Sequence, residues 1–224
     1  MQKWIVHYPR VSKRMAIACF VAGLAISGAA AQSQEPKPVS ESAVSPSSDA
    51  TPIPSTVPSG IEGHEWRSPT WGVQVAWSSD DWTVENEMLD SPYEGLQLGS
   101  EASTVFVEAY EGFSGSPQAC LAQAEQEIAE RSNTREVTRL SSRPLPGPIS
   151  DTSESELFGV VADLPDGTIY RGAEYVSCYP LQPGLAVLEL TWQTGTTSYN
   201  DELPGVNELF SSLILPASEN SQPG

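Results

Sequence analysis

The chain is poor in the side chains that most often carry catalysis and metal binding. Its 224 residues include two histidines, His7 and His64, and three cysteines, Cys19, Cys120 and Cys178, which are far apart in the sequence. A serine nucleophile of the hydrolase type needs a histidine as its base, and zinc sites need several cysteines and histidines at close spacing. We therefore expect no catalytic residue of the Ser-His-Asp type, no transition-metal site and no cofactor.

Positive charge is scarce as well, with 11 lysines and arginines against 29 acidic residues. The chain beyond residue 31 holds seven of the bases and all of the acids, a formal charge of −22. Nucleic-acid binding requires clusters of lysine and arginine, and anionic membrane surfaces attract basic segments, so both partners are disfavoured. The acidity is typical of a soluble protein outside the cytoplasm, and a cationic partner is the alternative explanation.

The N-terminus has the pattern of an export signal. A basic segment without acids is followed by an apolar run from Met15 to Ala31, which ends in small residues suited to signal-peptidase cleavage. We predict a signal peptide over residues 1–31, cut after Ala31. An uncleaved membrane anchor is the alternative, since the run approaches the length of a spanning helix. The rest of the chain is extracytoplasmic in both cases, secreted or at the cell surface, and membrane-tethered if the signal is retained.

Composition divides the remainder of the chain. Residues 32–60 are rich in proline and serine and almost devoid of large apolar side chains, which predicts a disordered linker. Residues 61–217 contain five of the six tryptophans and every patterned segment, which predicts one domain of ordinary size. Residues 218–224 are expected to form a disordered tail.

The first half of the domain alternates apolar and polar residues as strands do. Trp71–Trp77 carries its tryptophans and valines at alternate positions, a turn over Ser78–Asp81 follows, and a second strand beginning at Trp82 is expected to return antiparallel. Gly95–Gly99 and Ser103–Tyr110 are predicted to be two more strands. Both faces of the latter have apolar residues, so both are expected to be covered.

The period then changes to that of a helix. Ser116 is a suitable N-cap and Pro117 a suitable first residue for a helix that runs to about Ser132. Further strands are predicted around an Asp-Gly turn, at 137–140, 155–164, 168–179 and 185–192, before a final helix over 201–213. The order predicts an α+β fold, in which a single meandering, mainly antiparallel sheet is packed by two helices.

The opening of the domain resembles a known family. The stretch Trp66-Arg-Ser-Pro-Thr-Trp-Gly-Val-Gln-Val-Ala-Trp77, followed by Asp81-Trp-Thr-Val84, is similar to the start of PsbP-like domains. The resemblance covers roughly residues 65–215, and it implies an antiparallel sheet between helices in an extracytoplasmic protein. A photosystem role is not implied, since the chain has a Pro/Ser tether and the pair Cys120 and Cys178.

Three other constellations have a functional and a structural interpretation. Gly112–Gly115 partly matches a nucleophile elbow, but Ser116 replaces the second glycine and a capped helix start explains the segment better. The acids Asp80, Asp81, Glu85, Glu87 and Asp90 are candidate calcium ligands that lack the spacing of a calcium loop, so no metal site is predicted. The tryptophans at 66, 71, 77, 82 and 192 form a sugar-stacking platform if exposed, and core packing is the favoured interpretation.

A disulfide between Cys120 and Cys178 is the most specific expectation. They are the two cysteines that remain once the signal is removed, and an even number in an exported chain favours pairing. Cys120 lies on the inward stripe of the predicted helix and Cys178 near the end of a predicted strand. The alternative is two separate buried thiols.

For function, the sequence favours a non-catalytic exported or cell-surface binding module. The scarcity of catalytic side chains is the basis, and the partner is an unknown protein or cell-envelope component. We expect a monomer whose mature domain does not insert into membranes. The alternative is a cell-envelope hydrolase that uses carboxylates alone, which a buried pair of acids in a pocket would favour.

Overall fold

A computed structural model describes residues 60–78, 80–140, 142–143, 145–146 and 152–216. The predicted signal peptide, nearly all of the predicted linker and the predicted tail lie outside the described residues. Ten strands and two helices make up the described part of the chain. They are β1 (Gly60–Glu62), β2 (Glu65–Arg67), β3 (Gln74–Ala76), β4 (Thr83–Asp90), β5 (Tyr93–Gly99), β6 (Ser103–Glu111), α1 (Pro117–Glu130), β7 (Thr134–Arg139), β8 (Glu154–Asp163), β9 (Ile169–Gln182), β10 (Ala186–Gly195) and α2 (Tyr199–Ser211).

Seven strands form the main sheet in the order β4-β5-β6-β10-β9-β8-β7, and every neighbouring pair is antiparallel. Two meanders, β4–β6 and β7–β10, start at opposite edges and meet where β6 pairs with β10. Short turns join most neighbours, including the predicted Asp166-Gly167 turn between β8 and β9. The predicted α+β fold with a large antiparallel sheet and two helices is confirmed.

The first predicted strand belongs to a second, smaller sheet. Only Gln74–Ala76 of the predicted segment 71–77 is extended, and it pairs with β2, while β4 pairs with β5. The antiparallel return from Trp77 to Trp82 is therefore not formed as expected. The reason is β2, whose three residues are too few to show a period of two in the sequence, yet it provides the partner that β3 needs.

The two faces of the main sheet are covered by different elements. Helix α2 and the small sheet pack on the face that carries Val107, Leu190 and Trp192. Helix α1 packs on the opposite face of β7–β10, with Cys120, Ala124 and Ile128 against residues such as Phe158. Each fully buried apolar side chain contributes about 1.5–3 kcal/mol through removal from water.

Helix α1 begins as the sequence predicts. Ser116 is its N-cap, and the Ser116 side-chain oxygen accepts a hydrogen bond from the Ala119 N–H at 3.3 Å. Pro117 is the first helical residue.

A disulfide joins Cys120 of α1 to Cys178 of β9, with Cα atoms 6.2 Å apart, in agreement with the predicted pairing. The bond attaches the helix to the sheet.

Neither α1 nor α2, nor any other helix in the described part of the chain, has the length and hydropathy of a membrane span.

Candidate functional site

A surface groove of about 260 Å³ lies between the loop that joins β3 to β4 and helix α2. Trp77 and Trp82 form its apolar walls together with Leu209. The tryptophans are 8% and 4% exposed, so little of each ring is accessible. The complete lining consists of Ala76, Trp77, Ser78, Asp81, Trp82, Gly205, Glu208, Leu209 and Ser212.

Local hydrogen bonds fix the walls of this groove. The backbone N–H of Trp82 donates to the Ser78 carbonyl at 3.0 Å, which closes the turn predicted there, and the Trp77 N–H donates to the His64 carbonyl at 3.0 Å. At the C-terminal end of α2, the hydroxyl oxygen of the C-cap residue Ser212 accepts a hydrogen bond from the Ala76 N–H at 2.9 Å. The groove is therefore held by contacts between the small sheet, the β3–β4 loop and α2.

The rim of the groove is negatively charged. Asp81 and Glu208 are exposed acids, and the lining contains no basic residue. Apolar walls beneath carboxylates suit an amphipathic cation, because the alkyl stem of lysine or arginine packs on apolar surface while its charged head stays near water. The groove thus has the chemistry to hold one lysine or arginine side chain.

A second polar feature lies on the face of the sheet that α1 partly covers. Glu108 of β6 and Glu189 of β10 are directly opposite each other and are 2% and 1% exposed. Residues directly opposite in an antiparallel pair have Cβ atoms about 5 Å apart. Glu189 accepts a hydrogen bond from the Tyr110 hydroxyl at 2.6 Å, and Glu108 accepts one from the Tyr93 hydroxyl. Neither glutamate lines the groove.

The disulfide lies beside Glu189. The Cys120 sulfur is 4.0 Å from Oε2 of Glu189 and 3.9 Å from the Tyr110 hydroxyl oxygen. A disulfide sulfur has no hydrogen to donate, so its contact with the carboxylate is one of packing. Both cysteines are at most 1% exposed, which is typical of a structural disulfide.

A buried ion pair occupies the same face farther along. Arg131, which follows α1, donates two hydrogen bonds to the Glu174 carboxylate of β9, at 2.6 and 2.7 Å. Nearby Tyr170 donates its hydroxyl hydrogen to the Thr194 carbonyl at 3.0 Å. Burial, reinforced by the charge of Glu174 and opposed by that of Arg131, raises the pKa of Tyr170 to about 12.

The partial nucleophile elbow proves to be a turn before α1. Phe113–Gly115 forms a single 3-10 turn, in which Phe113 and Ser114 have φ values of 54° and 50°. The Ser114 carbonyl accepts from the Gly184 N–H at 3.1 Å, at the turn that joins β9 to β10. A serine nucleophile at Ser114 would need a histidine beside it. His64 contacts Trp77 near the groove, so the structure does not bring His64 to Ser114.

The candidate calcium ligands are dispersed. Glu85 accepts a hydrogen bond from the Gln97 amide at 2.7 Å, Asp81 lines the groove, and Asp90 ends β4. Within the described ranges, no group of three or more histidine, cysteine or acidic residues is placed to hold a metal ion.

The tryptophans pack in the core. Trp66 and Trp192 are fully buried, Trp77 and Trp82 are nearly so, and Trp71 is half-buried with its indole N–H donating to the Pro92 carbonyl at 3.3 Å. The structure thus supports core packing over a sugar-stacking platform.

The sequence interpretation missed both the groove and the buried glutamates. The groove depends on α2 approaching the β3–β4 loop, which no local pattern specifies. A signal for the glutamates does exist: Glu108 stands two residues from Phe106 and from Tyr110, so it shares a strand face with aromatic side chains.

The fold defines an α+β domain with one large antiparallel sheet. No family model matches the chain, and no curated protein is similar to it at a significant level. Among solved structures, LpqN, described as involved in cell envelope biogenesis of Mycobacterium tuberculosis, is 17% identical with a TM-score of 0.40, over 70% of this chain and 87% of that one. A protein from Bacteroides thetaiotaomicron VPI-5482 is 14% identical with a TM-score of 0.40, over 73% of this chain and 52% of that one. Similarity at this level supports no inference about function.

Proposed function

We propose that this chain is an exported, non-catalytic binding module that holds a lysine or arginine side chain of a partner in the groove between the β3–β4 loop and α2. The partner is a protein or an envelope component at the cell exterior. The observation that carries the proposal is the combination of apolar walls from Trp77 and Trp82 with the acidic rim of Asp81 and Glu208.

Three features support an extracytoplasmic location. The N-terminal pattern is that of an export signal, the Pro/Ser-rich segment is suited to a tether, and the disulfide is of a kind that persists in oxidising compartments.

We further propose that the domain is a monomeric PsbP-like module that starts near residue 60. Limited proteolysis of the full chain is expected to leave a core that begins there, and a protected core starting before residue 45 would contradict this boundary.

Both charge and shape contribute to the proposed binding. The carboxylates of Asp81 and Glu208 attract a cation, and the small exposed parts of Trp77 and Trp82 contact its methylene groups. A neutral side chain of the same shape keeps only the apolar contact. An isolated amino acid is expected to bind weakly, with a Kd on the order of 1 mM or above, because a single side chain buries little surface.

NMR titration tests the proposal directly. Nα-acetyl-arginine amide is added to the purified domain, and the indole N–H signals of Trp77 and Trp82 are followed. Nα-acetyl-citrulline amide, which is neutral and similar in shape, is the matched control ligand. We expect saturable shifts with the arginine compound and much smaller shifts with the citrulline compound.

The variant Asp81→Asn/Glu208→Gln tests the rim. Both residues are exposed, so the fold is expected to persist, and the arginine affinity is expected to fall by about fivefold from the loss of two exposed charge interactions. Glu111→Gln, an exposed acid on β6, is the control. Equal shifts from both ligands, or an unchanged affinity in the rim variant, would exclude the proposed mode of binding.

A carboxylate hydrolase remains the second candidate, and the opposed pair Glu108 and Glu189 is the observation that favours it. The two glutamates are on adjacent strands in the middle of a sheet face, and both are buried. Each glutamate also accepts a tyrosine hydroxyl, which accounts for it structurally. Turnover of a peptide, ester or glycoside substrate that Glu189→Gln or Glu108→Gln abolishes, with the fold intact, would establish the hydrolase.

A further inference from the structure

The two edges of the main sheet are finished differently. At the β7 edge, Arg135 pairs with Asp163 at 2.5 Å, and Arg139 pairs with Glu125 of α1 at 2.5 Å. Helix α1 packs along β7 as well. Ion pairs and a covering helix are devices that protect a sheet edge from pairing with another chain.

The β4 edge has a different character. Among the described strands, β4 is hydrogen-bonded to β5 alone. From Asn86 to Asp90, after a shift in register that follows Val84, alternate residues therefore direct their backbone N–H and C=O groups away from the sheet. Val84 and Leu89 of β4 are 42% and 43% exposed, which places large apolar side chains on this edge. An exposed strand with apolar side chains is a template for strand addition.

Charge indicates what kind of strand fits. Between residues 60 and 130 the chain has fourteen acidic residues and one basic residue, Arg67, whereas residues 131–216 contain eleven acidic and five basic residues. On β4 itself, Glu87 and Asp90 lie on opposite faces of the strand. Oε1 of Glu87 is buried without a hydrogen-bond partner among the described residues, beside Gly60. Asp90 is exposed, so its carboxylate is the one on this strand that a basic side chain of an added strand can reach.

The same charges argue against a second copy of this chain. Pairing β4 with β4 brings acidic side chains of the two copies together, and like charges on adjacent strands are destabilising. A strand with lysine or arginine at alternate positions gains from the charges instead. The apolar residues of such a strand pack beside Val84 and Leu89.

We propose that the β4 edge is a docking site for an extended, basic segment of a partner protein, which adds a strand beside Thr83–Asp90. This extends the proposed function, since β4 follows directly on Asp81 and Trp82 of the groove. The groove holds one basic side chain, and the edge binds the backbone and the alternating side chains of the segment.

Hydrogen exchange with a defined peptide tests the site. The probe is an acetylated, amidated octapeptide that alternates lysine and valine, matching the eight residues of β4. Backbone amides of β4 are expected to exchange about tenfold more slowly when the peptide is bound, while those of β7 are unchanged. An octapeptide that alternates glutamate and valine, and a lysine peptide with two central prolines, are expected to give no protection.

Matched variants separate the two edges and the two proposals. Glu87→Gln/Asp90→Asn is expected to weaken the lysine peptide about fivefold, whereas Glu136→Gln on β7 leaves the affinity unchanged. Exchange of the free variants verifies that the sheet is intact. Protection of β4 that persists in Asp81→Asn/Glu208→Gln supports the edge independently of the groove.

Three results would overturn the docking site: absence of peptide-induced protection at β4, equal protection of β4 and β7, or a dimer of the unliganded chain that forms through β4.

Discussion

The two faces of the main sheet are made by the same strands but are held in different ways. On β6 and β10, alternate residues such as Val107 and Leu190 point to the face under α2 and the small sheet. That face is mostly apolar, although the buried Glu94 of β5 also lies on it and accepts hydrogen bonds there. The residues between them, including Glu108 and Glu189, point to the face that α1 covers in part. That face combines buried carboxylates, an ion pair and the disulfide.

The two faces depend on different interactions. An apolar face is stabilised by volume and tolerates exchange among apolar residues of similar size. The face under α1 depends on particular partners, because a buried charge or hydroxyl that loses its partner retains the full cost of desolvation. Single substitutions on the α1 face are therefore expected to have effects that depend on the specific pair that they break.

The largest effect is expected from removing the disulfide. It joins residues separated by 58 positions, and on the chain-entropy model its loss lowers the free energy of unfolding by about 4 kcal/mol. Urea unfolding of Cys120→Ala/Cys178→Ala measures this. Wild-type protein unfolded with a reductant present is expected to lose the same amount. Stability that is unchanged in both experiments would show that α1 is held to the sheet by packing alone.

The apolar face was the more predictable of the two. Alternation located β6 and β10 because most of their residues on this face are apolar, and the Ser116-Pro117 cap located α1. Elements without a local period were missed, namely the three-residue strands β1 and β2. Both faces of Ser103–Tyr110 were expected to be covered, but Glu108 and Glu189 were not identified as buried, because a glutamate is almost never fully buried unless it has a partner, and a partner on another strand has no local signal in the sequence.

The second effect in size concerns Arg131 and Glu174. Arg131→Ala leaves the Glu174 carboxylate, whose side chain is 4% exposed, without its bidentate partner, and we expect a loss of about 3 kcal/mol. Arg135→Ala breaks an exposed pair, with side chains 54% and 44% exposed, and is expected to cost much less, because solvent screens the two charges. Urea unfolding of both variants at neutral pH makes the comparison. Equal losses would mean that burial does not strengthen the Arg131–Glu174 interaction.

A third, smaller effect is expected at alkaline pH. The pKa of Tyr170 is raised from 10.0 to about 12, so the neutral phenol is favoured in the folded state. Its contribution to stability is complete below pH 10 and is lost as the pH rises through about 12, up to about 2–3 kcal/mol. Tyr170→Phe is expected to flatten the fall in unfolding free energy over this range.

Tyr175→Phe on the apolar face is the comparison for Tyr170. Burial raises the pKa of Tyr175 as well, but hydrogen bonds with Ser155 and Ser177 oppose the increase, so we expect a smaller change in alkaline stability. The measurement is urea unfolding at a series of pH values between 9 and 12. An alkaline fall that Tyr170→Phe leaves unaltered would show that other groups control it.

The smallest effect is expected at the start of α1, the helix that covers the polar face. Ser116→Ala removes the side-chain oxygen that accepts the Ala119 N–H, and loss of such a cap costs about 1 kcal/mol. Ser198→Ala is the matched control, because Ser198 occupies the N-cap of α2 but its side chain makes no capping hydrogen bond. We expect the control to change the free energy of unfolding by less than about 0.5 kcal/mol. Equal losses at both positions would mean that the Ser116 hydrogen bond does not account for the stability of the α1 terminus.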